Sequence, residues 1–289
     1  KAEETEQLIS KHASIGQKEL ENFLFEERQN RIKIIKKLLA EYQSLPHLQR
    51  NFEKEDALRE KLGQLYYISG EYETSANIHQ EIIKNARNFK NPILLASNLN
   101  SLGLVYEVQG KYDESIKLYK EAIEITKKTI GTKNADYAGL LNNLAIAYDS
   151  KGKTSKAINL FTEALQIFKE IIGTNNPSYA TCLNNLAGTY KHQGKYNEAI
   201  KLHEESLNIV KETIGVMSLD YAHLLDNLAY IYKEQEKYQK ALRMYEESLQ
   251  IYIKILGKNH HTVKNVKDSI ELCRAKMKEQ ASQLIPYKK

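Results

Sequence analysis

Three segments, LNNLAIAYDSKGK at 141–153, LNNLAGTYKHQGK at 183–195 and LDNLAYIYKEQEK at 225–237, stand 42 residues apart and share one pattern, L-x-N-L-A-x-x-Y-x-x-x-x-K. The register extends beyond them. Gly131, Gly173, Gly215 and Gly257 mark one boundary of the unit, while Leu102, Leu144, Leu186 and Leu228 and then Tyr106, Tyr148, Tyr190 and Tyr232 recur inside it. Lys111-Tyr112, Lys195-Tyr196 and Lys237-Tyr238 share one position, from which only Lys153-Thr154 departs. Tandem copying of one unit predicts a solenoid in which each copy packs on its neighbours, in place of a single enclosed core.

The copy at 175–216 shows what each unit builds. Tyr179, Cys182, Leu183, Leu186, Ala187 and Tyr190 recur at three- and four-residue steps, which makes one helical face ended by Gly194. Tyr196, Ala199, Ile200, Leu202, Leu207, Ile209, Val210 and Ile214 make a second face, ended by Gly215 in a left-handed cap. Thr174-Asn175-Asn176-Pro177-Ser178 supplies the turn, with Pro177 placed to enter the next helix. Two helices joined by a short glycine turn pack antiparallel. Gly103, Ala145, Ala187 and Ala229 in first helices, and Ser115, Ala157, Ala199 and Ala241 in second helices, are small enough to close each pair.

Leu, then Gly or Ala, then Tyr, a turn glycine, and Tyr-x-x-Ala resembles the tetratricopeptide repeat. The longer unit resembles the kinesin-light-chain subtype, with 42 residues in place of the usual 34 or so. At about 1.5 Å per residue the extra length adds roughly 6 Å to each helix, and so depth to a groove. The resemblance implies an all-α, right-handed superhelical solenoid of antiparallel helix pairs. The expected divisions are an N-terminal amphipathic segment at 1–51, five helix pairs at 52–90, 91–132, 133–174, 175–216 and 217–258, and a capping helix with a tail at 259–289.

The first division reads as a helix over 17–42, apolar along Leu20, Leu24, Ile32, Ile35, Leu38 and Leu39 and ended by Pro46. It is expected to cap the first pair, the alternative being contact with a partner chain. Phe25, Ile32 and Leu39 keep a seven-residue step, but Glu21 and Arg28 at the companion positions do not support a sustained coiled coil. At the other end, Glu271 and Arg274 replace the small residue and the tyrosine, as expected where a solenoid closes with a polar face.

Composition narrows the function. The net charge of +5 comes from 42 basic and 37 acidic residues scattered along the chain, whereas nucleic-acid binding calls for a concentrated basic stripe. No apolar run is long enough for membrane insertion. Cys182 and Cys273 lack metal-ligand spacing, which suits a reduced, intracellular, cytoplasmic setting. A chain beginning at Lys1 is expected to be part of something longer.

No phosphate loop, nucleophile elbow or HExxH motif is present, so neither catalysis, a cofactor nor a metal is expected. His260-His261 are adjacent on a turn and expected to point apart, and His192 and His223 lie too far apart to share a metal. The informative positions are Asn100-Ser101, Asn142-Asn143, Asn184-Asn185 and Asp226-Asn227, because asparagine is a poor helix-interior residue. Either their amides fix the stacking of neighbouring helices, or one of each pair faces a groove and bonds a peptide main chain.

The resemblance implies the second use, since tetratricopeptide arrays bind extended peptides along their first helices. The other groove positions it implies are Ser97, Leu104 and Glu107, then Gly139, Ile146 and Asp149, then Thr181, Gly188 and Lys191, and finally His223, Tyr230 and Lys233. Acidic residues fall in earlier copies and basic ones in later copies, which suits a ligand of mixed charge. Members of the family that clamp a C-terminal carboxylate use paired lysines, a set not apparent here. The expected function is a scaffold or adaptor binding a protein or peptide. The alternatives are a regulatory array controlling an adjoining effector domain and a brace in a cytoskeletal or ciliary assembly.

Overall fold

The structure is a computed structural model that describes residues 25–45 and 52–283. Within those residues it is built from helices joined by short turns. They form two compact units, an N-terminal body at 22–171 and a C-terminal body from 172 onward.

The N-terminal body contains α1 (25–44), α2 (Phe52–Ile68), α3 (Tyr72–Asn88), α4 (Pro92–Val108), α5 (Tyr112–Thr129), α6 (Ala135–Ser150) and α7 (Thr154–Ile172). Consecutive helices pack on one another from α2 through α5 to α6, and α4 also touches α2 and α6, so alternate helices share a layer. The C-terminal body contains α8 (Pro177–His192), α9 (Tyr196–Thr213), α10 (Leu219–Glu234), α11 (Tyr238–Leu256) and α12 (His261–Gln283), again packed in sequence.

Local chemistry sets the boundaries. Asn91, Asn134, Asn176 and Ser218 cap α4, α6, α8 and α10, each side-chain oxygen accepting a backbone N–H of the first turn. The repeated tyrosine ends the same helices. At Tyr190, the N–H of Lys195 reaches the tyrosine carbonyl at 3.0 Å while Gly194 N–H bonds Lys191 O at 2.9 Å, a Schellman closure that requires positive φ at Gly194. Glu236 takes the equivalent place in the last pair and holds φ +59 without being glycine.

The lysine after this turn lies over the tyrosine face. Nζ-to-ring distances are 5.2 Å for Lys111 and Tyr106, 5.9 Å for Lys153 and Tyr148, 5.6 Å for Lys195 and Tyr190, and 5.9 Å for Lys237 and Tyr232. One turn therefore accounts for both the tyrosine and the lysine registers, and for Lys153 persisting where the next residue changed.

Ala187 and Ala199 share a buried cluster with Ile231. The small slot of the first helix also makes room for more than the small residue of the second. A Cβ at Gly103 would come within 2.5 Å of the Tyr119 ring, just as one at Gly63 would meet the His79 ring at 2.8 Å. The small slot accommodates a large ring of the second helix.

In α1, Ile32 and Leu39 are buried against Leu62 and Tyr66 of α2, with Ile35 alongside. Leu38, expected on the apolar side, is exposed, because Ile32, Ile35 and Leu39 already fill the stripe that meets α2. Residues 17–24 of the expected helix, with Leu20 and Leu24, lie outside the described residues. In α12, Val263, Val266, Ile270 and Cys273 are buried, and Glu271 and Arg274 are exposed.

Candidate functional site

The asparagine pairs stand mid-helix on α4, α6, α8 and α10, and two bonds run from helix to helix. Asn143 Nδ2 donates to Asn100 Oδ1 at 2.9 Å in the N-terminal body, and Asn227 Nδ2 donates to Asn184 Oδ1 at 3.2 Å in the C-terminal body. In both cases the second residue of a pair donates to the first residue of the preceding pair. The amides thus bind neighbouring repeats together, which explains asparagine where the helix disfavours it. An amide has more capacity than one bond uses. Asn143 also accepts from Asn142 Nδ2 at 3.2 Å, whereas Asn100 Nδ2 and Asn227 Oδ1 point to no protein partner among the described residues.

In the N-terminal body this ladder borders a concavity of about 430 Å³. Ser97, Asn100 and Ser101 of α4 and Gly139 and Asn143 of α6 line it. Gly139 has open space where a Cβ would be, which keeps the floor low. Asn142 is buried, so Asn143 presents the amide of its pair. Leu104, Ile146 and Asp149 are half-buried and not part of this lining. Glu107 is spent on Tyr119, whose hydroxyl donates to it at 3.1 Å, and burial pushes the Glu107 carboxyl above the ordinary range.

Sequence reading missed the other walls of this cavity. Glu60 and Gln64 of α2 and Thr126, Thr129 and Ile130 at the end of α5 also line it. The signal for the first two was available, since the 40-residue offset of the earliest copy places Glu60 in register with Asn100 and Gln64 with Leu104. Glu60 accepts from Ser97 Oγ at 3.3 Å, and Asp136 brings a second carboxylate to the rim.

The equivalent face of the C-terminal body is different. Lys191 Nζ lies 5.2 Å and Lys233 Nζ 4.6 Å from the centre of the exposed Tyr230 ring. Residues one repeat apart thus both approach this ring, whose face attracts a cation. Asp226 is half-buried beside them. Burial pushes its carboxyl up to about 6, although Lys191 and Lys233 both pull the other way. Burial lowers Lys191 from its ordinary value, with Asp226 opposing.

Gly188, one repeat before Tyr230, leaves open space at its Cβ position. His223 is exposed, its ring 5.5 Å from that of Tyr252. Asn185 is half-buried, and its carbonyl accepts from Thr189 Oγ1 at 3.2 Å.

Beneath this face lies His203, 1% exposed, with no hydrogen-bond partner at either ring nitrogen. Burial first, and then the Lys191 charge, lowers it to about 4, so it is neutral at physiological pH. The equivalent His79 donates from Nδ1 to Asn98 Oδ1 at 2.8 Å. In the later repeat the corresponding position is Leu224, which offers no acceptor.

Burial pushes the Cys182 thiol up to about 12, leaving a packed thiol and not a nucleophile. Contrary to the expectation that His260 and His261 point apart, their rings are 4.3 Å from centre to centre, and His260 Nδ1 accepts from the Thr262 N–H at the start of α12. Among the described residues no three His, Cys, Asp or Glu side chains group to hold a metal, and no helix is long and apolar enough to cross a membrane.

A sequence profile described as Tetratricopeptide repeat matches at 94–170, 156–212, 178–254 and 220–281. Among solved structures, BtubC (BKLC) from P. vanneervenii is similar with a TM-score of 0.67 at 21% identity, over 81% of this chain and 93% of that one. A kinesin light chain from Podosopora anserina with nearly identical TPR-like repeats gives a TM-score of 0.56 at 20% identity, over 68% and 94%. No protein of curated function matches the chain.

Proposed function

The chain belongs to the tetratricopeptide repeat family, and from that premise we propose that it is a scaffold whose asparagine-bearing helices bind an extended peptide. The observation that carries this reading is the amide ladder beside the concavity. Asn100 and Asn143 bond each other yet keep unspent donor and acceptor capacity at the edge of a space large enough for several residues of an extended chain. Main-chain bonding by amides tolerates many sequences, and the surrounding charges add selectivity. Glu60 and Asp136 favour a basic residue in the N-terminal body, and Lys191 and Lys233 an acidic one in the C-terminal body.

The test uses peptides selected from a random display library on the intact chain, resynthesised and titrated by fluorescence anisotropy. Alanine at Asn143, Asn185 and Asn227 removes up to three ligand bonds at about 0.5 to 1.5 kcal/mol each, weakening binding by roughly one to three powers of ten. Melting temperatures are measured on the same proteins, because the ladder bonds are lost too. A triple variant that melts lower but binds with full affinity assigns the ladder to stacking alone and ends this reading.

A further inference from the structure

The tyrosine that ends a first helix is met by a residue of the preceding second helix. Gln80 Nε2 donates to the Tyr106 hydroxyl at 2.7 Å, and the Tyr232 hydroxyl donates to Glu204 Oε1 at 3.1 Å. At Tyr148, in the N-terminal body, the residue in that place is Lys120. Its ammonium lies 5.8 Å from the ring centre, and no hydrogen bond reaches the Tyr148 hydroxyl among the described residues. The next turn adds two more cations. Lys153 and Lys156 bring Nζ to 5.9 and 5.6 Å from the same centre, so three exposed lysines, from α5, the turn and α7, surround a tyrosine that is itself 7% exposed.

Elsewhere a carboxylate answers this arrangement. Tyr232 is likewise faced by Lys237 and Lys240, at 5.9 and 4.8 Å, and Glu204 supplies the anion. The helix α5 opens on Asp113 and Glu114, and α9 carries Glu198 in its first turn. By contrast α7 opens on Thr154-Ser155-Lys156 with no acidic residue, and no carboxylate pairs with Lys120, Lys153 or Lys156 among the described residues. Asp113 is taken by Lys151, and Lys153 acts on it only at longer range. The Thr154 that breaks the sequence register thus marks a turn that keeps its cations and lacks the anion.

We propose that Lys120, Lys153, Lys156 and the Tyr148 hydroxyl form a site for a phosphomonoester, carried on a phosphorylated side chain of a partner protein. The site lies at the turn between α6 and α7 and does not depend on peptide binding beside the asparagine ladder. A phosphomonoester brings about two negative charges and three acceptor oxygens to three ammonium groups and one hydroxyl donor, a closer match than a carboxylate offers. Asp113 and Glu114, exposed at the start of α5, repel an extended anionic sheet such as a membrane but leave room for one phosphate on a flexible chain. Gly152-Lys153-Thr154 is not a nucleotide loop, because Ala147 stands where the first glycine is required and the turn follows a helix in place of a strand.

The probe is the peptide Gly-Ser-Gly-phosphoserine-Gly-Ser-Gly, acetylated and amidated. Its phosphorus resonance is followed by NMR as the intact chain is added at about pH 7.5, where the phosphate is almost fully doubly ionised. Lys120→Gln, Lys153→Gln and Lys156→Gln are each expected to weaken binding about three- to tenfold, and Tyr148→Phe, which keeps the ring, about threefold. Lys120→Glu puts back the carboxylate that Glu204 provides at Tyr232, and is expected to abolish binding with an unchanged or higher melting temperature. Lys128→Gln, near the end of α5, binds as the parent does. Inorganic phosphate displaces the probe, and the same peptide with plain serine does not.

A probe that shows no change on adding the chain, affinity unchanged in all three lysine-to-glutamine variants, or affinity retained in Lys120→Glu overturns the site. Displacement by the plain-serine peptide overturns its selectivity for phosphate. Vesicles of phosphatidylcholine containing phosphatidic acid are the last arm. If they sediment the chain, lose it in Lys156→Gln, and the phosphopeptide fails to bind, the cations serve a lipid headgroup and the partner-protein assignment falls.

Discussion

Replacing His203 with phenylalanine removes the one buried imidazole without a hydrogen bond among the described residues and puts in its place the side chain that Phe161 already provides at the equivalent position. His203 and Phe161 are each 1% exposed and stand at the same distance in sequence after a buried alanine, Ala187 and Ala145, so the ring shape is accommodated. At pH 7.5 the gain is the desolvation of unpaired ring nitrogens, about 1 to 3 kcal/mol less any overpacking from the larger ring. The pH dependence is more diagnostic. A histidine that titrates at 6.5 when unfolded and at about 4 when folded binds protons preferentially in the unfolded chain, so its share of stability is present above 6.5 and lost as pH falls towards 4. Between pH 7.5 and 4.5 that loss is about 2 to 3 kcal/mol.

His203→Phe is therefore expected to exceed the parent modestly at pH 7.5 and by about 2 to 3 kcal/mol more at pH 4.5. Urea unfolding followed by circular dichroism gives the difference, in which the other titrating groups cancel. Hydrogen exchange of the α9 and α10 amides confirms that it arises in the C-terminal body, since a repeat array need not unfold in one step. A stability gap equal at both pH values, or a variant weaker than the parent at pH 7.5, refutes the placement of a neutral, unpartnered imidazole in this core.

Two backbone predictions test the packing. Gly103→Ala forces a Cβ to 2.5 Å from the fully buried Tyr119 ring, and an overpacking cost of about 1 to 3 kcal/mol outweighs the gain of up to about 1 in helix propensity; Gly188→Ala, with open space, shows the gain alone. A higher melting temperature for Gly103→Ala refutes the close approach. Glu236→Gly removes a side chain from φ +59 and is expected to stabilise by about 1 kcal/mol in urea titration, an unchanged midpoint counting against strain at this turn.

The sequence by itself determined the repeat, the all-helical class and the turns. These follow from local rules: positive-φ glycines close helices, Asn and Ser caps open them, and apolar steps of three and four mark the buried faces. It also singled out the asparagine pairs, because a residue disfavoured by its own helix advertises a tertiary use.

What that use is required the folded chain. Asn143 and Asn100 are 43 residues apart, and only packing brings their amides to 2.9 Å. The same holds for Lys191 and Lys233, groove candidates in sequence whose common approach to the Tyr230 ring only the folded chain shows. The Gly103 slot was legible as small, but its occupant, Tyr119, was not, since spacing along a helix gives a side chain's face and not what the neighbouring helix inserts there. Asp226 was visible as a lone exception in a column of asparagines. Its raised carboxyl value comes from burial, against the pull of the lysines around it, and that is a property of three dimensions.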